Sequence, residues 1–391
     1  MNLGQEVQYC PDISQGPHTH LHQTTVSAGK SPLRALTGLR FFAASAVVAN
    51  HFWQTPTSSQ DSGRLYLGAV AAVTFFFVLS GFILTYVYAD VLNSLPVTQG
   101  ALKFWRARIA RIAPVYYLSL LISLPPIIYS VLVSRVSHFD ASIILTPLFL
   151  QSWWPSVSTT WNSPAWSLST ECFFYLIFPF LIQPISKMPV RPLLFSAYAL
   201  VCLTAFIVPP SAIPQRYLDP SEFWTHFRAF FPLLHLPSFL FGVALARLYA
   251  HHQETTIRHA SKLFWSAAAL LISLLVLRTR LPAPFSSNLA IVPLSGALIW
   301  LGSQLDKRQM LLSTPFILLL GEASYALYIL HLPLLWWWKW LMTRIFLLPW
   351  QNIPSAIVFF VLVNMAAVAV FKWFETPLRR RILGHIENRM G

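Results

Sequence analysis

The chain has 391 residues, of which 55% are hydrophobic and 10% are charged. Soluble globular domains carry about 25% charged residues, so this composition excludes that class and predicts a polytopic membrane protein. The formal net charge of +14 is explained by basic loops that set topology and meet anionic lipid headgroups. No basic run is interleaved with exposed aromatic residues, and no nucleic-acid partner is expected.

Strand-type alternation is absent, and the apolar runs predict an all-α fold with about ten transmembrane helices. Each run is long enough, or nearly so, to cross about 30 Å of hydrocarbon. The predicted spans are 36–53, 67–89, 112–133, 164–185, 193–209, 230–250, 262–279, 287–303, 315–337 and 354–374. The loops on the same side of the membrane as the N-terminus hold more than twice as many Lys and Arg residues as the loops on the opposite side. Because basic residues concentrate in cytoplasmic loops, this distribution predicts that both chain ends are cytoplasmic.

The chain divides into one membrane domain and two short tails. Residues 1–33 are polar, lack the apolar core of a signal peptide and are predicted to form a disordered cytoplasmic tail. Residues 34–381 form the membrane domain, and 382–391 form a second cytoplasmic tail. The cysteines show no ligand spacing, so no metal site is expected. The oligomeric state is not predicted.

The first span contains two residues that its hydropathy does not favour, Arg40 and His51. Their spacing of 11 residues puts them on one helix face, about 16 Å apart along the axis. Ionisable residues in a span normally face the bundle interior or a cavity. An arginine that extends to headgroups and a histidine at the interface are the structural alternatives, and the shared face favours one functional path.

Two further motifs follow in the second and third spans. Ser80 and Gly81 interrupt a bulky run, which indicates either close helix packing or backbone approach to a ligand. Arg108 and Arg111 lie three residues apart on one helix face, with Arg106 elsewhere on the helix. This basic cluster either sets topology or binds a polyanion such as a nucleotide phosphate.

Later spans carry a buried carboxylate and a polar helix face. Glu171 lies inside an apolar helix, where carboxylates are rare and usually paired; Arg40, His51 and His331 are its candidate partners. Ser324, Tyr328 and His331 fall on one helix face, and the alternative for them is a polar seam that satisfies its own hydrogen bonds. The FETPLRRR segment at 374–381 is explained by a stop-transfer cluster.

Taken in order, these motifs resemble the membrane acyltransferase-3 family of O-acyltransferases. The resemblance covers residues 34–381 and rests on six features in sequence: Arg40 to His51, FFFVLSGFIL (75–84), FWRARIARIAPVYY (104–117), WSLSTECFFYLIFP (166–179), SYALYILHLPL (324–334) and ETPLRR (375–380). Many members carry an appended extracytoplasmic hydrolase-like domain. None follows in this sequence, so the activity is expected to belong to the membrane domain.

The resemblance implies transfer of an acyl group, commonly acetyl, from acyl-CoA to a hydroxyl of a carbohydrate or glycolipid acceptor. Acyl-CoA is then a donor substrate, with no permanently bound cofactor, and membrane lipids surround the protein in a bacterial inner membrane. His51 is expected to be the base or acyl relay, with Glu171 and His331 completing the catalytic site. The expected donor-binding residues are Arg40, Arg106, Arg108, Arg111, Ser80 and Gly81.

Two other classes stay open on sequence grounds. A proton-coupled transporter or flippase also buries His, Glu and Arg, although neither an inverted repeat nor a matching pair of broken helices is seen. A non-catalytic scaffold has no need to bury these groups. Covalently acylated product distinguishes the enzyme from the transporter.

Overall fold

The computed structural model describes residues 30–53, 61–134, 139–207, 220–252, 259–277, 288–305 and 311–387. Over these ranges the fold is all-α, as predicted, and no strand is present. The predicted tail at 1–33 lies outside the described residues except for 30–33. The boundary predicted at residue 381 falls inside the last helix, which continues to Glu387.

The described residues form fourteen α-helices, joined by short turns of other helical types. In chain order they are α1 (Arg34–Trp53), α2 (Asp61–Ser94), α3 (Val97–Ser134), α4 (Phe139–Leu145), α5 (Trp166–Lys187), α6 (Val190–Ile207), α7 (Pro220–Phe230), α8 (Pro232–His251), α9 (Ala260–Leu277), α10 (Asn288–Leu305), α11 (Pro315–Glu322), α12 (Ser324–Trp340), α13 (Ile353–Val370) and α14 (Thr376–Glu387). A π-helical turn, Phe371–Glu375, joins α13 to α14.

Each of the ten predicted spans overlaps a helix, but fewer helices meet the length and hydropathy expected of a span. Seven helices in the described ranges do so, or eight if the bent pair α11–α12 is counted as one span. That pair bends by 60° at its break. Two predicted spans lie in helices outside this set. They are α1, which carries Arg40 and His51, and α6, whose apolar part, Val190–Thr204, is shorter than a span. The all-α membrane class is confirmed, and the count of ten and the orientation stay predictions.

Glycines allow two helix pairs to touch backbone to backbone. A Cβ on Gly81 of α2 would lie 2.1 Å from the Phe239 carbonyl oxygen of α8, and a Cβ on Gly242 of α8 would lie 2.0 Å from that of Val78. Any larger side chain would overlap these atoms, so the glycines set the distance between α2 and α8. A Cβ on Gly321, at the end of α11, would likewise overlap the backbone of α1.

Side chains replace the backbone hydrogen bonds that four of the prolines inside the helices remove. A proline lacks the N–H that would bond the carbonyl four residues earlier, and a membrane interior has no water to replace it. In the described part of the chain, four such carbonyls accept a side-chain donor. Trp337 donates to the Ile122 carbonyl, which Pro126 leaves without its N–H, at 3.0 Å, and Trp105 donates to the Tyr175 carbonyl, left by Pro179, at 2.9 Å. Tyr198 donates to the Leu289 carbonyl, left by Pro293, at 3.1 Å, and Asn162 donates to the Ile329 carbonyl, left by Pro333, at 3.0 Å.

A compact non-spanning segment leads into α5 and fixes its start. Phe149 has a positive φ of 59° and stacks on the buried Tyr116 ring at 3.9 Å. Its carbonyl accepts the Ser169 hydroxyl at 2.6 Å, and Ser152 donates to the Trp166 carbonyl at 2.7 Å. These contacts hold the first turn of α5 and so position Glu171 in the next turn.

Candidate active site

A cavity of about 180 Å³ lies between five helices, α1, α2, α3, α5 and α12. Four charged residues line it: Arg40, Arg108, Arg111 and Glu171. Its other polar walls are Ser80, Ser167, Tyr175, Ser324, Tyr325 and Tyr328. The sequence motifs on separate helices therefore meet at one place. Three cations around one carboxylate make this cavity suited to an anionic ligand.

The two cavity-lining arginines of α3 are held by aromatic residues and one carboxylate. Arg108 Nη2 donates to the Tyr88 hydroxyl at 2.6 Å, and its guanidinium lies 4.9 Å from the centre of that ring. Arg111 forms an ion pair with Glu375, and its guanidinium lies 5.6 Å from the Tyr325 ring. Both guanidinium groups are thus oriented by their neighbours before any ligand binds.

Arg40 differs from the α3 arginines in its surroundings. The described residues supply it with no hydrogen-bond or ion-pair partner, although the charges of Glu171 and Glu322 act on it. Its side chain is half-buried on the cavity wall. A guanidinium in that position has its donors available to a ligand.

Two residues predicted to bind the donor lie away from the cavity wall. Gly81 packs against the backbone of α8, which is the packing role considered above for the Ser80–Gly81 pair. Arg106 lies on another side of α3 from the cavity-lining Arg108 and Arg111. Ser80, by contrast, faces the cavity. The predicted ligand roles of Gly81 and Arg106 have no geometric support.

Glu171 is paired with hydroxyl groups. Its Oε1 accepts the Tyr175 hydroxyl at 2.5 Å and the Ser80 hydroxyl at 3.1 Å. The partners expected from sequence were Arg40, His51 and His331, and none of these makes an ion pair or hydrogen bond with Glu171 in the described ranges. These two bonds, the shorter of them from Tyr175, fix the orientation of the carboxylate toward the cavity.

His51 and His331 form a hydrogen-bonded pair. His331 Nε2 lies 3.1 Å from His51 Nδ1, and the ring centres are 4.9 Å apart. His331 Nδ1 lies 2.6 Å from the Tyr328 carbonyl oxygen, and His51 Nδ1 lies 3.0 Å from that of Val47. A carbonyl can only accept, so each Nδ1 carries the proton in the neutral rings. The His51 Nδ1–H is then shared between the Val47 carbonyl oxygen and His331 Nε2, and the lone pair of His51 Nε2 stays free.

The histidine pair is separate from the arginine cavity but joined to it through α12. Ser324 and Tyr328 lie on the cavity wall, whereas neither histidine does. Tyr328 also bonds the Ser167 hydroxyl at 2.7 Å, and its backbone carbonyl holds His331. The structure thus brings His51 to His331 and Arg40 to Arg108 and Arg111, at two levels of the bundle.

Sequence reasoning missed several tyrosines that complete the site. Tyr175 follows Glu171 by four residues, a spacing that places the two side chains side by side on a helix. That signal was available in the sequence. Tyr88 and Tyr325, which hold the arginines, carry no comparable local signal because each contacts a residue of another helix. Within the described ranges, no group of three metal-binding side chains is gathered.

Comparison with known proteins identifies the family. The family model described as an acyltransferase domain, acyltransferase 3, matches residues 33–372. The chain belongs to the acyltransferase-3 family. Acyltransferase MdmB of Streptomyces mycarofaciens is 31% identical over 318 residues, covering 76% of this chain and 78% of that protein. Peptidoglycan O-acetyltransferase OatA of Listeria monocytogenes is 25% identical over 377 residues, covering 88% of this chain and 56% of that protein.

This acyltransferase-3 protein is therefore an O-acyltransferase built from membrane-type helices. The enzyme interpretation is confirmed, and the transporter and scaffold alternatives lose their support. The chain spans about half the length of OatA. No solved structure matches the chain, so the site is described from its own geometry.

Proposed function

We propose that this enzyme transfers an acyl group, acetyl in the simplest case, from acyl-CoA to a hydroxyl of a sugar, a polysaccharide precursor or a glycosylated metabolite. The observation that carries the proposal is the cavity that Arg40, Arg108 and Arg111 line inside the bundle. Guanidinium groups withdrawn from water are costly unless they are paired. Glu375 pairs with Arg111, but the one cavity carboxylate, Glu171, forms no ion pair with Arg40 or Arg108 in the described structure. Anionic oxygens of a phosphorylated donor would pair with them.

The two levels of the site match the two ends of such a donor. CoA carries its phosphates at one end and its thioester at the other, joined by a long narrow arm. Arg40 and His51 lie 11 residues apart on α1, a separation of about 16 Å along the axis. Arginines at one level and a histidine at the other suit phosphate binding and acyl transfer, respectively. CoA is too polar to cross the bilayer, so we place its entry on the cytoplasmic side.

In the proposed transfer, His51 is the general base. Its Nε2 takes the proton of the acceptor hydroxyl as that oxygen attacks the thioester carbonyl carbon. The C–S bond then breaks, and the thiolate of CoA leaves with the proton that His51 received. His331 is a positioning residue, because its Nε2 accepts the His51 Nδ1–H and so keeps His51 Nε2 unprotonated. Glu171 orients the polar groups at the cavity through Ser80 and Tyr175.

The acceptor class rests on a relative. OatA is named as a peptidoglycan O-acetyltransferase, and peptidoglycan is a sugar polymer, so a carbohydrate hydroxyl is the acceptor that we propose here.

The test is transfer of labelled acetyl from acetyl-CoA by the purified protein in lipid bilayers, with a panel of sugars and glycolipids. We expect label on an acceptor. We also expect Arg40→Gln to weaken acetyl-CoA binding about tenfold or more, because a charge-assisted bond is lost. Arg34→Gln is the matched control, since Arg34 is an exposed arginine of the same helix. Failure to bind acetyl-CoA or to acylate any acceptor would overturn the proposal.

A further inference from the structure

The arginine cluster extends beyond the cavity wall to the C-terminal end of the chain. Glu375 is the last residue of the π-helical turn, and Arg379 follows it by four residues on α14. Residues four apart on a helix are neighbours. Since Glu375 pairs with Arg111 of α3, Arg379 is brought beside that same helix. The charges of Arg108 and Arg111 both act on Arg379.

The groups around this point are incompletely satisfied. The Nε atoms of Arg108 and Arg379 are buried without a hydrogen-bond partner in the described structure, as is Oε2 of Glu375. The Glu375 side chain is 1% exposed, so its charge is fully withdrawn from solvent. Unsatisfied N–H donors on two helices that contact each other indicate an absent acceptor. An anion with several oxygens would accept from both.

The local backbone is also unusual. A π-helical turn is rare and often lies at a functional site, because it changes the direction in which its side chains point. Here the turn ends at Glu375, the residue that enters the arginine cluster. A stop-transfer segment needs basic residues near the membrane surface, and it does not need a buried carboxylate.

We infer that α14 completes the donor site: Arg379 binds a phosphate of the donor together with Arg108, and Glu375 holds Arg111 in place until that phosphate replaces it. This inference rests on the proposed acyl-CoA donor. It adds a fourth cation from the C-terminal helix and an internal carboxylate that competes with the donor. No covalent step is involved, because the donor phosphate only takes the place of the Glu375 carboxylate at the Arg111 guanidinium.

The experiment measures binding of acetyl-CoA, and of the phosphate-free analogue S-acetyl-pantetheine, to the full chain in lipid. We expect Arg379→Gln to weaken acetyl-CoA binding about tenfold or more while binding of the phosphate-free analogue is unchanged. Arg380→Gln is the matched control, because Arg380 is the adjacent, exposed arginine of the same helix. It removes the same charge and should change neither affinity.

Glu375→Gln gives a second test with the opposite sign. Removing the competing carboxylate charge should tighten acetyl-CoA binding several-fold, provided that thermal unfolding shows an intact protein. Equal acetyl-CoA affinities for Arg379→Gln and Arg380→Gln would overturn the inference, as would an equal loss for both donors in Arg379→Gln. If Arg40→Gln weakens acetyl-CoA binding and Arg379→Gln does not, the proposal that acyl-CoA is the donor is supported and the proposed role of α14 is wrong. If the unmodified protein does not bind acetyl-CoA, both the proposed donor and the proposed role of α14 are wrong.

Discussion

At the scale of single residues, the histidine pair carries the proposed chemistry. His331 is completely buried, and its Nδ1 is committed to the Tyr328 carbonyl. That bond fixes the tautomer of His331, which in turn fixes the tautomer of His51. The orientation of a base by a second group is the usual arrangement for proton transfer in enzymes. In the proposed transfer, His51 is therefore the base and His331 is the residue that positions it.

Replacement of His51 tests this division of roles. We expect His51→Ala to lower the rate of acyl transfer by about 10²–10⁴-fold, the usual contribution of a general base. Binding of acetyl-CoA should be unchanged, because the donor phosphates are proposed to lie at the arginine level. The measurement is single-turnover transfer beside equilibrium binding. His251→Ala, at the exposed end of α8, is the control, and equal rates for the two variants would contradict the role of His51.

At the scale of the helix, close packing and hydrogen bonding decide where α2 and α5 lie. Both carry site residues, Ser80 on α2 and Glu171 on α5, and these two side chains bond at 3.1 Å. Small shifts of either helix would break that contact. The glycines and prolines of these helices therefore matter for the site, although none of them touches the cavity directly.

Gly81→Ala is expected to destabilise the protein in detergent by about 1–3 kcal/mol, the usual range for overpacking. The reason is steric, because the added Cβ would meet the Phe239 carbonyl oxygen of α8 at 2.1 Å. Gly384→Ala is a matched control, since a Cβ there meets nothing within 4 Å and alanine favours the helix. Thermal unfolding of the two variants gives the comparison, and a Gly81→Ala protein as stable as the Gly384→Ala protein would refute the close approach.

The Trp105–Pro179 pair tests the replacement of backbone hydrogen bonds. Trp105→Phe removes the donor to the Tyr175 carbonyl and should cost about 1–3 kcal/mol, the penalty for an unsatisfied buried acceptor. Pro179→Ala restores a backbone N–H four residues after Tyr175. In that background the same tryptophan change should cost less, so a double-mutant cycle should show coupling. Additive effects of the two changes would argue against this account.

At the scale of the whole molecule, charged residues from distant helices share one side. Arg40, Arg111 and Glu375 lie at the ends of predicted spans that the distribution of Lys and Arg assigns to the cytoplasm. The structure brings Arg40 and Arg111 to one cavity and pairs Arg111 with Glu375. Lys30, assigned to the same side, pairs with Asp90 at 2.5 Å. The compartment that this side faces stays a prediction.

The positions of the chain ends distinguish the possible span counts. Seven spans would put the ends on opposite sides, whereas eight or ten would put them on the same side. We expect reporters fused to residue 1 and to residue 391 both to signal from the cytoplasm. A fluorescent protein that matures there, compared with a phosphatase active only outside, makes the measurement. A phosphatase signal from either end would show that the topology is wrong.

The sequence alone determined the protein class and marked most residues of the candidate site. Its shortage of charge excluded a soluble fold, and the rare ionisable residues in apolar runs marked Arg40, His51, Glu171 and His331, because a membrane interior penalises such residues unless they have a purpose. Helix periodicity also placed Ser324 and Tyr328 on one face, and both line the cavity, whereas His331 lies off the cavity wall and bonds the Tyr328 backbone carbonyl.

Tertiary structure decided which of these residues meet. The pairing of His51 with His331, of Glu171 with Ser80, and of Arg111 with Glu375 joins helices that are far apart in the chain. Periodicity fixes the face of one helix, but it carries no information about which other helix will lie against that face. Packing decides this, through the glycines that admit close contact and the side chains that cover proline-freed carbonyls. For that reason the sequence of the C-terminal segment at 374–381 indicates a stop-transfer signal, whereas the fold brings its Glu375 into the arginine cluster.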